Sequence, residues 1–206
     1  MTDVDAECRA AVSELATAVV LRDPAALSYL SGQGAPGGAL PASQMMLSSA
    51  FLVADVLGSG VATAAGRQPT DQEIQQAWQQ TARQARERLA SSLEDLARAQ
   101  IRDGRPEPEV RKETGFSART MDAGLVTALP LLTAFISRDM AEFRRGAASA
   151  ANRQKLTPAV LATQLIIRDL FETAVNTKLG GAASDDQVRR AWETFMAQRA
   201  ASTRRY

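Results

Sequence analysis

Histidine is missing from the chain altogether. Its absence removes the commonest general base, the Ser-His and Cys-His nucleophile systems and most transition-metal sites. There is one cysteine, Cys8, so neither an intramolecular disulfide nor a cysteine-rich metal cluster can form. On an amphipathic first helix Cys8 reads as a small apolar residue rather than a reactive thiol. Lysine is scarce too: Lys112, Lys155 and Lys178 stand among 24 basic residues, and arginine supplies the rest. That preference, with the many alanines, fits a GC-rich coding bias better than a binding signature. Against 23 acidic residues the net charge is +1, which leaves no global field to draw in nucleic acid or an anionic membrane.

Other signals are equally missing. The acidic start, MTDVDAEC, has no basic region followed by an apolar run, so no signal peptide is expected. Met45 to Gly66 is the most apolar stretch, but Asp55 and scattered Ser and Gly interrupt it, which predicts a buried helix rather than a membrane span. A cytoplasmic location follows as the expectation. The glycine-rich run Gly32 to Pro41 lacks the Gly-Lys-Ser/Thr of a Walker loop and the preceding strand of a dinucleotide loop. Nucleophile elbows, EF-hand loops and carboxylate-histidine di-metal patterns are absent. No catalytic residue, cofactor or metal ligand is therefore assigned.

What is present is a repeat. TDQEIQQAW, Thr70 to Trp78, returns as SDDQVRRAW, Ser184 to Trp192, and these copies hold both tryptophans. At an offset of about 114 the match runs on without a gap: Leu47 on Leu161, Asp55 on Asp169, Thr63 on Thr177, Gly66 on Gly180. Earlier, Arg22-Asp23 falls on Arg138-Asp139 at an offset of 116. An internal duplication is the reading.

Helical spacing dominates throughout. Cys8, Val12, Leu15, Val19 and Val20 recur by threes and fours. Pro24 can open a short helix, and Ser43 can cap one running to about Ala65. Thr70 with Glu73, and Ser184 with Gln187, form capping boxes at the heads of two further helices. Residues 104–116, broken by Pro106 and Pro108, read as a linker. Beyond it, Leu125 to Ile136 is helical with a kink expected at Pro130, and Thr157-Pro158 opens the next helix. No strand-like alternation of any length occurs. The expectation is an all-α, internally duplicated helical bundle: two pseudo-symmetric halves of about four helices, residues 1–103 and 117–206.

Three features compete as sites. Trp78 and Trp192 read as core anchors, with a ligand-stacking surface as the rival. Asp55 has apolar neighbours and so calls for a partner, for which Arg22 and its counterpart Arg138 are the natural guess; Asp169 lies on a polar stripe and reads as solvated. The segment 108–125 resembles a helix-turn-helix with its turn at Gly115, and would present Arg111, Lys112, Ser117, Arg119 and Thr120 to DNA. The closing Arg199, Arg204 and Arg205 before Tyr206 read as a solvated tail. The function these features favour is a non-enzymatic adaptor, regulator or assembly factor that uses helix surfaces to bind a protein partner or itself. DNA binding through 108–125, or an apolar ligand held between helices, are the alternatives. Finally, helix 44–65 has no polar face and is expected inside, whereas 158–179 is expected outside with one face wet.

Overall fold

The computed structural model describes residues 3–203 and is all-helical. Among the described residues eight helices follow one another: α1 Asp3–Val20, α2 Ala26–Leu30, α3 Ala42–Ala65, α4 Asp71–Arg102, α5 Glu107–Ile136, α6 Met140–Ala151, α7 Leu156–Leu179 and α8 Asp185–Thr203. Arg204, Arg205 and Tyr206 lie outside the described residues. A single apolar core draws on every one of these helices.

The start of α4 follows its sequence signal. The Thr70 hydroxyl accepts from the Glu73 amide while the Glu73 carboxylate accepts from the Thr70 amide. Ser184 and Gln187 exchange the same two bonds at the head of α8. Both α3 and α7 end on a glycine in the left-handed conformation, Gly66 at φ 65° and Gly180 at φ 68°, which lacks the Cβ penalty of that region. Ser43 and Thr157, however, are not caps: α3 and α7 begin just before them, behind Pro41 and Lys155, with no side-chain cap.

The linker and the turn expected in 104–125 are corrected. Only residues 103–106 break the chain, and α5 then runs from Glu107 through Gly115 to Ile136 as one helix. Pro106 sits at the N-cap and Pro108 in the first turn, where the missing N–H is an orphan anyway. The prolines announce a helix rather than end one. Gly124 has its own task, because a Cβ there would lie 2.1 Å from the Pro158 carbonyl oxygen. Its bare backbone lets α5 close onto α7.

The inside and outside helices are reversed as well. α7 is the central element, packed most extensively against α3 and α5, and it is buried nearly all round from Leu156 to Phe171. α3 instead leaves Phe51, Asp55 and Ser59 exposed, as well as its last turn. Side-chain size explains the exchange. The length of α7 is rich in Leu, Ile and Phe, whereas the C-terminal part of α3 is Gly, Ser, Ala and Thr, which bury little apolar area. The charge that made α7 look wet is taken inside: Arg168 is fully buried, donating to the Glu172 carboxylate at 2.9 Å and to the Ser92 carbonyl at 2.7 Å. Among the described residues two helices, α3 and α5, are apolar and long enough to cross a membrane, and about half of the apolar stretch in each is buried in the bundle.

Candidate functional site

Both tryptophans are buried, each 1% exposed. Trp78 on α4 donates its indole N–H to Thr133 of α5 at 2.9 Å, and Trp192 on α8 donates to Thr17 of α1 at 3.0 Å. Neither ring is available as an open stacking surface. The two threonines are 116 positions apart, so matched tryptophans reach across to matched acceptors. Arginines do likewise: Arg138 binds Asp71 at 2.6 Å, and Arg22 binds Asp185. Both arginines carry a positive φ, Arg22 at 57° and Arg138 at 60°.

The aspartates follow the same crossing pattern, but not the guessed pairing. Asp55 is bound by Arg199 of α8 at 2.7 Å, and Asp169 by Arg88 of α4 at 3.0 Å. Arg22 goes to Asp185 and Glu172 instead. The burial is the reverse of that expected, with the Asp55 side chain 47% exposed and that of Asp169 16%. These are structural ion pairs around α3 and α7. Among the described residues no group of three or more Cys, Asp or Glu is gathered in a way that could hold a metal.

The five residues proposed to meet DNA are dispersed. Arg111 is tied to Glu94 at 2.9 Å and Glu107 at 3.4 Å. Ser117 is buried and donates to the Leu27 carbonyl at 3.0 Å, while the Thr120 hydroxyl turns back to Phe116 of its own helix. Of the five, only Lys112 and Arg119 are exposed with no salt bridge among the described residues. They lie beside a feature hidden by the linker reading. Phe116, Arg119, Ala123, Val126 and Pro130 follow one another by three and four along α5 and are all exposed, so they share one outer face. Phe116 is 48% exposed and Val126 65%. The spacing was there to be found, had the segment been read as one helix.

A concave feature lies elsewhere, a groove of about 270 Å³ between α3, α4 and α7. Val56, Leu57 and Val61 form one wall, Ala77 and Thr81 another, and Leu170 and Ala174 the third. Gln80 and Gln84 line it as well, and Arg88, already engaged by Asp169, closes the list of its charges. At its base α3 and α7 come close, for a Cβ on Gly60 would stand 3.2 Å from that of Ala174. A larger open cleft of about 560 Å³ near the end of α1 is lined by Glu14, Asp23, Asp103, Arg22 and Arg189, groups whose charges largely offset one another.

No known protein family matches the chain, and neither a curated protein nor a solved structure does.

Proposed function

We propose that the chain is a non-enzymatic interaction protein that receives an amphipathic helix of a partner protein on the outer face of α5. The exposed stripe Phe116–Ala123–Val126–Pro130 carries this reading. A helix on the surface of a bundle normally turns polar residues to water, and here Phe116, Ala123, Val126 and Pro130 share the outer face with Arg119 and Asp122. A partner helix would lay its own i, i+3, i+4 apolar anchors on that stripe. Lys112 and Arg119 on the same side favour acidic residues at the rim of the partner. On this reading the apolarity of α5 serves two protein contacts, the core and the partner, rather than a bilayer.

A photo-crosslinking residue at position 126 tests it. The expected result is one crosslinked partner protein, lost when Phe116→Asp is added while the circular dichroism spectrum and Tm stay unchanged. A product of twice the chain mass would identify the partner as a second copy. Equal crosslinking from the exposed Glu193 on α8, or capture that survives Phe116→Asp, would overturn the reading.

A further inference from the structure

The groove between α3, α4 and α7 has an internal control in the matched half of the chain. Shifting two of its lining residues by 114 leads from Leu57 to Phe171 and from Thr81 to Phe195, and the buried Trp78, three positions before Thr81, matches Trp192. In that second setting the three aromatic rings pack on one another: Phe171 and Trp192 at 4.9 Å, Phe171 and Phe195 at 5.8 Å, Trp192 and Phe195 at 5.6 Å between centroids. In the first setting Trp78 keeps its place, but Leu and Thr stand where the two phenylalanines would be. Most other lining positions change little: Val61 matches Val175, Ala77 matches Ala191 and Gln84 matches Gln198. The groove is thus open where its counterpart is filled by aromatic side chains.

We propose that this groove binds a small neutral aromatic molecule of one or two rings, occupying the place that Phe171 and Phe195 fill on the other side. Three observations fix the chemistry. The walls are mostly aliphatic, with Thr81, Thr173 and Thr177 set among Val, Leu and Ala, so the body of the ligand is apolar. The one arginine present is already paired with Asp169, so no free charge calls for an ionic ligand. The Thr81 hydroxyl donates to the Ala77 carbonyl at 3.0 Å but its oxygen can still accept, so it and the side-chain carbonyls of Gln80 and Gln84 are able to meet a hydroxyl or ring N–H on the ligand. The volume of about 270 Å³ sits at the small end for ligand pockets and suits one or two rings. The groove shares no residue with the outer face of α5, so this proposal and the partner-helix reading stand or fall separately.

Calorimetric titration of the full chain with indole and with 2-naphthol tests it. The expected result is one saturable site for at least one of them. Thr81→Phe or Leu57→Phe, each restoring the matched residue, should weaken that site at least tenfold. The reverse pair of changes, Phe171→Leu with Phe195→Thr, should open the matched groove and raise the stoichiometry from one to two. No saturable binding of either probe would overturn the proposal. So would binding that persists unchanged in a folded Thr81→Phe and a folded Leu57→Phe.

Discussion

Helices α3 and α7 start 114 positions apart, are each 24 residues long and each end on a left-handed glycine, yet one is half exposed and the other runs through the centre of the core. The helices that follow them differ in a related way. α4 has 32 residues and lies along α5, whereas α8 has 19 and makes only slight contact with α1 and α7. Where the two matched stretches of sequence agree, they agree on devices that hold helix ends and crossings: capping boxes, indole-to-threonine bonds, arginine-to-aspartate bonds. Where they disagree, the difference lies in how much side-chain volume fills the space between. This division suggests which residues secure the fold and which are free to do something else, and it can be broken at four points.

The largest effect is expected at the tryptophans. Trp78→Ala and Trp192→Ala should each cost about 3–5 kcal/mol in chemical denaturation, because each deletes a fully buried indole and leaves a cavity. If the crossings are equivalent, both variants should fall in that range. A loss under about 1 kcal/mol at one of them would show that the matched indoles do unequal work.

Next comes Arg168, whose matched residue is Ala54. One side of the molecule holds a buried guanidinium and the other a methyl group. Arg168 is 0% exposed, its Nη2 has no hydrogen-bond partner, and the nearby Gln164 Oε1 has none either. A buried ion pair is weak evidence for stability, since desolvation offsets much of the attraction. Arg168→Met keeps most of the volume but takes the donor from the Ser92 carbonyl and a counter-ion from Glu172, so it should cost about 1–2 kcal/mol. Arg168→Ala should cost roughly 2–4 kcal/mol through the cavity and the orphaned Ser92 carbonyl. Equal losses in the two variants would mean that the charge, not the packing, matters there.

Much of this was legible in the sequence. Helical spacing and the two capping boxes place α4 and α8, and the offset of 114 pairs the tryptophans before any coordinates. What misled were features with two meanings. Pro106 and Pro108 break a helix interior but suit a first turn, and only packing against α4 and α7 decides between them. Charge on α7 looked like a wet face because the partners of Arg168 are a carbonyl on α4 and a carboxylate one turn on, and the carbonyl is remote in sequence. The partner of Asp55 was unreadable for the same reason, as Arg199 is distant along the chain. The groove could have been inferred from Thr81 against Phe195, a change of size at matched positions.

A smaller effect separates the crossed arginines. Arg138 and Asp71 are both well exposed, with side chains 76% and 60% accessible, so Arg138→Ala should cost no more than about 1 kcal/mol. The Arg22 side chain is 26% exposed and reaches two carboxylates, Asp185 and Glu172, the latter also the counter-ion of Arg168. Arg22→Ala should cost roughly 1–2 kcal/mol, the exposure of Asp185 keeping it low. Equal and negligible losses would reduce both crossings to surface decoration.

The smallest effect is also the most specific, because the two capping boxes differ by one ionisable group. At the head of α4 the third residue is Glu73; at the head of α8 it is Gln187. The Arg67 guanidinium first, and then the Thr70 amide and hydroxyl, hold the Glu73 carboxyl at about 2, down from 4.5. Gln187 has no proton to gain. A carboxyl whose folded value is depressed contributes stability that is fully present above its unfolded value and is lost as pH falls through the folded one. Between pH 4.5 and about 2, then, the first turn of α4 should fray progressively, while that of α8 keeps its cap. Amide exchange at Glu73 and Ile74, followed down this range beside Gln187 and Val188, gives the two curves in one sample. The α4 amides should lose protection and the α8 amides should not. Glu73→Gln should flatten the first curve onto the second, since a neutral amide closes the same box without titrating. If both helix heads lose protection together, the fraying is global acid unfolding and the caps are not the cause.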